Sequence, residues 1–263
     1  MKLRSALALA TALLFAALPA KAARSVIVTS QDHSLQSVDD CSSFHTQNTT
    51  SFAANVTAQE QRDFPVTPGQ AVRVQASAEG GVSARGWDRS DARLLICKCA
   101  AADTPQKARH ILDAVTVTVK DGEIRTSGPE INESQIWWAH LILRLPKTAK
   151  VDLASGNGGI AVRNVHGGIV ARTTNGGISL DRVTGSVEAT TENGPISLKV
   201  RQKTLPSIVA STVDSGMILC NLRECTKGSS AWTSDRKQLH LAGAGLPIRL
   251  STTTAPIIIE QLR

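Results

Sequence analysis

The sequence predicts an all-β protein, a parallel β-solenoid of 18-residue coils with one short helix ahead of it, and three observations carry that prediction. Asn157-Gly158-Gly159-Ile160, Asn175-Gly176-Gly177-Ile178 and Asn193-Gly194-Pro195-Ile196 recur at a fixed step of eighteen residues. A second beat, Val165-His166-Gly167-Gly168-Ile169 and Val183-Thr184-Gly185-Ser186-Val187, divides each repeat into two nine-residue halves of strand plus turn. Aligned at that step, Ile160, Ile178 and Ile196 fall in one apolar column and Val151, Ile169 and Val187 in another. Coils that each pair with the next and stack like side chains inside are what such columns require.

The corners follow from the same alignment. Asn157, Asn175 and Asn193 form a column in which side-chain amides can hydrogen-bond along the stack, and Asn tolerates the left-handed backbone. The glycines after them are expected to supply positive φ. Arg163, Asp181 and Lys199 share an outward column of alternating sign.

Ahead of the repeat, Met1 to Ala22 has a basic start, an apolar run from Ala6 to Leu18 and a small-x-small end at Ala20-Lys21-Ala22, which together read as a secretory signal. No later stretch reaches the roughly 20 apolar residues of a membrane-spanning helix. Residues 23 to 61 are polar, with one strand candidate at Ser25 to Thr29, and are expected to be a tether or a loosely ordered edge. Residues 62 to 263 are read as the folded domain. There Ala71 to Ala76 and Val115 to Val119 alternate as half-buried strands do, and Asp121-Gly122 turns the second into Glu123 to Ser127. The helix runs from about Thr104 to Leu112, capped by Asp103 or Thr104 with Pro105 in its first turn. Ile136 to Leu145 is apolar on both faces, as in a strand buried on both sides. After Val200, Ile208 to Thr212 with Met217 to Leu222, and Ile248 to Ser251 with Ile257 to Gln261, read as further coils, and Thr226 to Leu239 as a coil carrying a loop.

The formal charge of +7 falls to +4 once Lys2, Arg4 and Lys21 leave with the signal, a mild excess without a basic run that points only weakly to nucleic acid or anionic surfaces; a solvated surface is the better reading, and no nucleic acid is expected as a partner. Five cysteines in an exported chain leave at least one thiol unpaired within the chain. Cys220 and Cys225 close a loop short enough for a disulfide, and Cys97 and Cys99 point to one face of a strand, with Cys41 a candidate partner for either. Cys-x-Cys and Cys-x4-Cys match metal-ligand spacings poorly, so no metal site is assigned.

In order and spacing, Phe64-x-Val66-x-x-Gly69, Val82-x-Ala84-x-Gly86-Trp87-Asp88, Leu145-Pro146-Lys147 and the x-Asn-Gly-Gly-Ile coils resemble a bacterial adhesin-like family, domain of unknown function 4097, over residues 62 to 263. The resemblance implies a β-solenoid-like fold with no assigned activity and a suspected surface role, and it transfers no catalytic residue; with the signal, it places the expected protein in the periplasm, at the cell surface or outside the cell.

Tests for chemistry find little. Gly156-x-Gly158-x-x-Ala161 matches a dinucleotide fingerprint but leads into a strand, where phosphate binding needs a helix N-terminus. A carbohydrate-active β-helix enzyme, lyase or glycosidase, is the alternative; its acids would come from Asp152, Asp181, Glu188, Glu192 and Asp214, no two of which are expected to share a column. His140 reads as a buried structural residue. Trp87, Trp137, Trp138 and Trp232 could stack on sugars or dock a protein, with core packing favoured for Trp137 and Trp138. The reading is therefore an exported, non-enzymatic adhesin-like or structural protein without cofactor, whose partner is an envelope protein or glycan; a periplasmic sensor or accessory domain differs only in its ligand.

Overall fold

The computed structural model describes residues 39–43, 52–132, 134–201, 205–226 and 232–262. The signal at Met1 to Ala22 and the strand candidate at Ser25 to Thr29 lie outside the described residues. The chain enters through β1 (Ala54–Pro65), β2 (Ala71–Gln75), β3 (Val82–Trp87) and β4 (Asp91–Ala102). The helix α1 (Pro105–Ala114), the hairpin β5 (Thr116–Lys120) and β6 (Glu123–Ser127), and the long β7 (Ile136–Pro146) follow. The repeat supplies β8 (Lys150–Ser155), β9 (Ile160–Arg163), β10 (Ile169–Thr173), β11 (Ile178–Asp181), β12 (Val187–Thr191) and β13 (Ile196–Val200). Then come β14 (Pro206–Thr212), β15 (Ile218–Cys220), the one-turn α2 (Arg223–Thr226), β16 (Gln238–Leu241), β17 (Gly245–Thr252) and β18 (Ile257–Gln261).

These strands make two large, mostly parallel sheets that face each other across one core. The first runs β1-β4-β7-β3-β9-β11-β13-β18-β15, the second β5-β6-β2-β8-β10-β12-β17-β14-β16. Successive halves of each repeat alternate between them, so Ile160, Ile178 and Ile196 pair in register and Val151, Ile169 and Val187 do likewise. Upstream and downstream strands extend the columns: Val82 joins Ile160, and Ile257 then Ile218 follow Ile196, all at most 1 % exposed.

The order of strands after Val200 differs from the order of the chain. The last coil, β17 with β18, lies between β12–β13 and β14–β15 rather than beyond them. The other end mirrors this, since β2 and β3 lie between β6–β7 and β8–β9. Caps explain both insertions. The outer edge of β14 is taken by antiparallel β16, and the outer edges of β6 and β7 by antiparallel β5 and β4. The inner edges of β14, β6 and β7 therefore remain for the parallel rung, and β18 follows β17 to the inner side of β15. The described residues 232 to 239 of the predicted coil accordingly belong to this cap, where Trp232 bridges Leu239, and not to a further coil.

β1 starts at Ala54 and pairs with β4 over its whole length, so the sheet takes in residues 54–61, which the sequence reading placed in the polar N-terminal segment. It is rich in polar side chains, as suits an edge strand, where charged residues discourage further pairing, while Val56 and Phe64 pack inward. α1 packs beneath β1 and β4 through Ala108, Ile111 and Leu112, and the Thr104 hydroxyl accepts from the Lys107 amide at 3.3 Å. Asp121 and Gly122 both take positive φ in the tight turn from β5 to β6.

At the corners the expectation for glycine is corrected. Gly158, Gly176 and Gly194 are not in the left-handed region, and neither are Asn157, Asn175 and Asn193. A Cβ on Gly176 would collide with the Gly158 carbonyl of the rung below, and one on Gly194 with that of Gly176. The requirement is close stacking of backbone on backbone. Left-handed residues occur at the opposite corner instead, at Asn164 (φ 57°) and Arg182 (φ 54°). The amide ladder forms: Asn193 donates to Asn175 at 2.7 Å and Asn175 to Asn157 at 2.5 Å, while Asn157 donates to Glu79 at 2.6 Å. Inside the same corner, Thr173, Thr191 and Thr252 are buried hydroxyls that donate to the glycine carbonyls of the neighbouring rung at 2.9–3.0 Å.

At the β7 end, His140 and Ser83 are buried on the outward side of the first sheet, with Ser83 Oγ and His140 Nε2 3.1 Å apart. Burial pushes the imidazole down to about 3, so it is neutral at physiological pH.

Two outcomes follow. Gly176→Ala should cost about 3 kcal/mol in urea unfolding, whereas Gly159→Ala, whose Cβ would meet only the Gly177 carbonyl at 3.2 Å, should cost well under about 1 kcal/mol; equal costs would refute the stacking explanation. Because the unfolded imidazole protonates near 6.5 and the folded one only near 3, stability should fall by about 1.4 kcal/mol per pH unit below 6.5. Between pH 6.5 and 5, where carboxylates are still ionised, His140→Gln should flatten that slope; an unchanged slope would show that His140 does not cause it.

Candidate functional site

The outward positions of the two sheets differ in charge. On the second sheet, Asp152, Val170 and Glu188 stand in one column, so two of the acids do share a column, contrary to expectation. The eighteen-residue step counted twice separates them. Arg172, one position along β10 on the same face, lies between them, with its terminal nitrogens 3.1 Å from Asp152 and 3.3 Å from Glu188. This pair is therefore bridged by a guanidinium where a hydrolase would hold its water or sugar. Asp181 contacts Arg163 at 3.1 Å and Arg182 at 3.6 Å. Glu192 and Asp214 are exposed at corners.

On the first sheet, pairing brings together residues far apart in sequence. Asp63 pairs with Arg93, Arg93 with Arg144, Arg144 with Arg85, and Arg85 with Arg163; Asp181, Lys199 and Glu260 continue the row. Residues directly paired across a sheet point to the same side at roughly 4.8 Å per strand. Four arginines thus stand side by side. The sequence reading saw only Arg163, Asp181 and Lys199, because nothing in the eighteen-residue step announces that β3, β4 and β7 join the same sheet.

Each flanking arginine has a carboxylate. Arg93 holds Asp63 at 2.8 Å and 2.9 Å, and its guanidinium keeps that carboxyl below the usual carboxylate range. Arg85 holds both oxygens of Asp39 at 2.9 Å, and Arg163 contacts Asp181. Arg144, half-buried in the middle of the row, meets no carboxylate among the described residues. Trp87, two residues beyond Arg85 on the same side of β3, is half-buried with the Arg89 guanidinium 4.6 Å and that of Arg93 5.8 Å from the ring centre. Its indole nitrogen donates to the Asp91 carbonyl at 2.9 Å.

The remaining candidates are scattered. Trp138 is buried beside Cys99 and Ile136, Trp137 packs towards α1, and Trp232 lies at the opposite cap, so the four indoles do not form one platform. Cys41 is joined to Cys97 and Cys220 to Cys225. Cys99 keeps its thiol, donating to Asn55 Oδ1 at 2.7 Å, and burial pushes it up to about 12. Among the described residues, no group of three or more His, Cys, Asp or Glu is placed to hold a metal ion, and no helix is long and apolar enough to cross a membrane.

No family model and no curated protein matches the sequence. Among solved structures, the chain is similar over 78 % of its length to a Clostridium sporogenes protein provisionally named for cell adhesion, with 9 % identity, a TM-score of 0.45 and all of that chain covered. It is similar over the same share to a provisionally named adhesin of Bacteroides fragilis, at 13 % identity, TM-score 0.30 and 97 % of that chain. A Parabacteroides distasonis protein provisionally named for lipid binding aligns over 78 % of this chain and 97 % of its own, at 9 % identity and TM-score 0.23.

Proposed function

We propose that the chain is an exported, non-enzymatic binding protein of the cell envelope, an adhesin-like β-solenoid that presents the outer face of its first sheet to an extended partner. In this reading Met1 to Ala22 is a cleaved signal, residues 23 onward lead into the fold, and the chain from Ala54 on forms its body. The observation that carries the proposal is the row from Asp63 to Glu260. Eight charged side chains stand in register on strands whose opposite faces are packed into a continuous core. A row so anchored is pre-organised, so binding to it costs little side-chain ordering.

Export is supported by the two disulfides, since such bonds persist in oxidising compartments. A binding role is favoured over hydrolysis by the occupation of the acids: Arg172 bridges Asp152 and Glu188, and Asp181 is engaged by two arginines. His140 is buried and paired with Ser83 in the cap.

The chain immobilised with both disulfides formed should retain a component of envelope extracts saturably. Arg85→Glu combined with Arg163→Glu should reduce that retention at least tenfold while leaving the melting temperature within a few degrees. Absence of any retained component at low salt would refute the reading. So would release of reducing ends from an envelope glycan that Asp152→Asn abolishes, which would return the chain to the carbohydrate-active enzymes.

A further inference from the structure

The charge in the row is unevenly placed. Asp181, Lys199 and Glu260 alternate, but Arg93, Arg144, Arg85 and Arg163 are consecutive. Like charges directly opposite one another destabilise a sheet, so a run of four calls for anions. Two of the three carboxylates that answer come from the body of the sheet, Asp63 from β1 and Asp181 from β11. The third does not. Asp39 precedes the first described strand, and the Cys41–Cys97 disulfide ties its segment to the same outward face. Cys97 pairs with His140 on β7, and Arg85 lies on β3 at the other side of β7. The segment from Cys41 to Asp39 therefore runs from β4 towards β3, across the strand that carries Arg144.

We propose that Arg144, Arg85 and Arg163 form a binding site for a linear polysaccharide bearing carboxylates, a polyuronate, and that Asp39 occupies the Arg85 subsite as a displaceable stand-in for one uronate. The inference deepens the envelope-binding reading and rests on it. Charge complementarity selects an anion. The carboxylate already seated on Arg85 shows that this subsite accepts that group, with two oxygens on one guanidinium nitrogen. A polymer of uronic acids presents one carboxylate per ring, a spacing of the same order as the roughly 4.8 Å between strands. Lying across the strands, it can bring more than one carboxylate to the row at once, those on rings turned towards the sheet. Trp87 stands beside the row with the Arg89 guanidinium over its ring, which a pyranose ring would displace to stack its apolar face on the indole, a contact a bare polyanion would not use.

The stand-in is held weakly enough to leave. The Arg85 and Asp39 side chains are 41 % and 42 % exposed, and exposed ion pairs are individually weak. What keeps Asp39 in place is its tether, which gives one carboxylate a high local concentration. A ligand that engages Arg144 as well, and shares Arg163 with Asp181, replaces the single Asp39 contact and adds others to it. Occupation of Arg85 by Asp39 then sets a threshold, so that short or sparsely charged glycans are refused and long ones accepted.

The test is titration calorimetry of the full chain, both disulfides formed, with polygalacturonate, inorganic polyphosphate and neutral dextran. Polygalacturonate should bind, dextran should not, and polyphosphate should bind at least tenfold more weakly. Arg144→Gln should weaken polygalacturonate at least tenfold, and Asp39→Asn should strengthen it several-fold, each with an unchanged melting temperature; Arg85→Gln provides a second loss variant should Arg144→Gln fold poorly. Polyphosphate binding as tightly as polygalacturonate would overturn the choice of glycan. Affinity unchanged or lowered by Asp39→Asn would overturn the stand-in. If polygalacturonate fails while envelope extracts are still retained, this site is wrong and the broader binding reading stands; if both fail, that reading falls with it.

Discussion

Everything in this molecule depends on how closely one rung approaches the next at the Gly158–Gly176–Gly194 corner. There backbone lies on backbone with no room for a Cβ, and the Thr173, Thr191 and Thr252 hydroxyls reach across to the carbonyls thereby exposed. Rungs spaced in this way keep Ile over Ile and Val over Val without slippage. A parallel sheet that slipped by one residue would turn its apolar set to solvent. The corner thus sets the register, the register builds the core, and the same register aligns the charged row on the outside.

The caps decide where the ends of the chain go. Because β16 returns antiparallel along β14, β5 along β6 and β4 along β7, three of the four outer edges of the parallel stack are taken by antiparallel strands, β15 alone of the parallel strands ending its sheet. The first and last parallel rungs are then admitted only between rungs already separated along the chain. Ends buried in this manner cannot fray without breaking pairing on both of their sides, which distinguishes them from the terminal repeats of a simple solenoid. Antiparallel capping also reduces the open parallel edge that would otherwise template pairing with other chains, leaving β15 as the parallel strand at a sheet end among the described residues.

These two constraints explain how much the sequence disclosed. The repeat, its halves, both sets of apolar columns, α1 with its Thr104 cap and the Asp121-Gly122 turn were legible, because each depends on neighbours within about eighteen residues. The reason for glycine at the corner was misread as a demand of φ, since a single chain cannot show that another backbone passes so near. The sharing of a column by Asp152 and Glu188 was missed, although the period itself contains it. The arginine row was not legible at all: Arg85, Arg93 and Arg144 belong to strands whose adjacency comes from the insertion of β3 beside β7. A composition without a basic run in sequence proved compatible with one in space.

The row is also the place where the fold acts against its own stability. A parallel stack gains by repeating apolar residues, and it loses by repeating charges, since each rung sets like on like. In the downstream rungs the sequence avoids this by alternation, Asp181 against Arg163 and Lys199 against Asp181. In the upstream rungs it does not, although any of the four arginines could have been replaced by an acid without disturbing the core, because all of them point outward. The repulsion is instead answered from outside the run, by Asp63, Asp39 and Asp181, and at Arg144 it is not answered by any described residue. Local conflict of this kind, in a chain otherwise consistent from corner to core, marks the positions where stability has been set against another requirement. On the proposed reading, that requirement is contact with an anion, which no described residue supplies at Arg144.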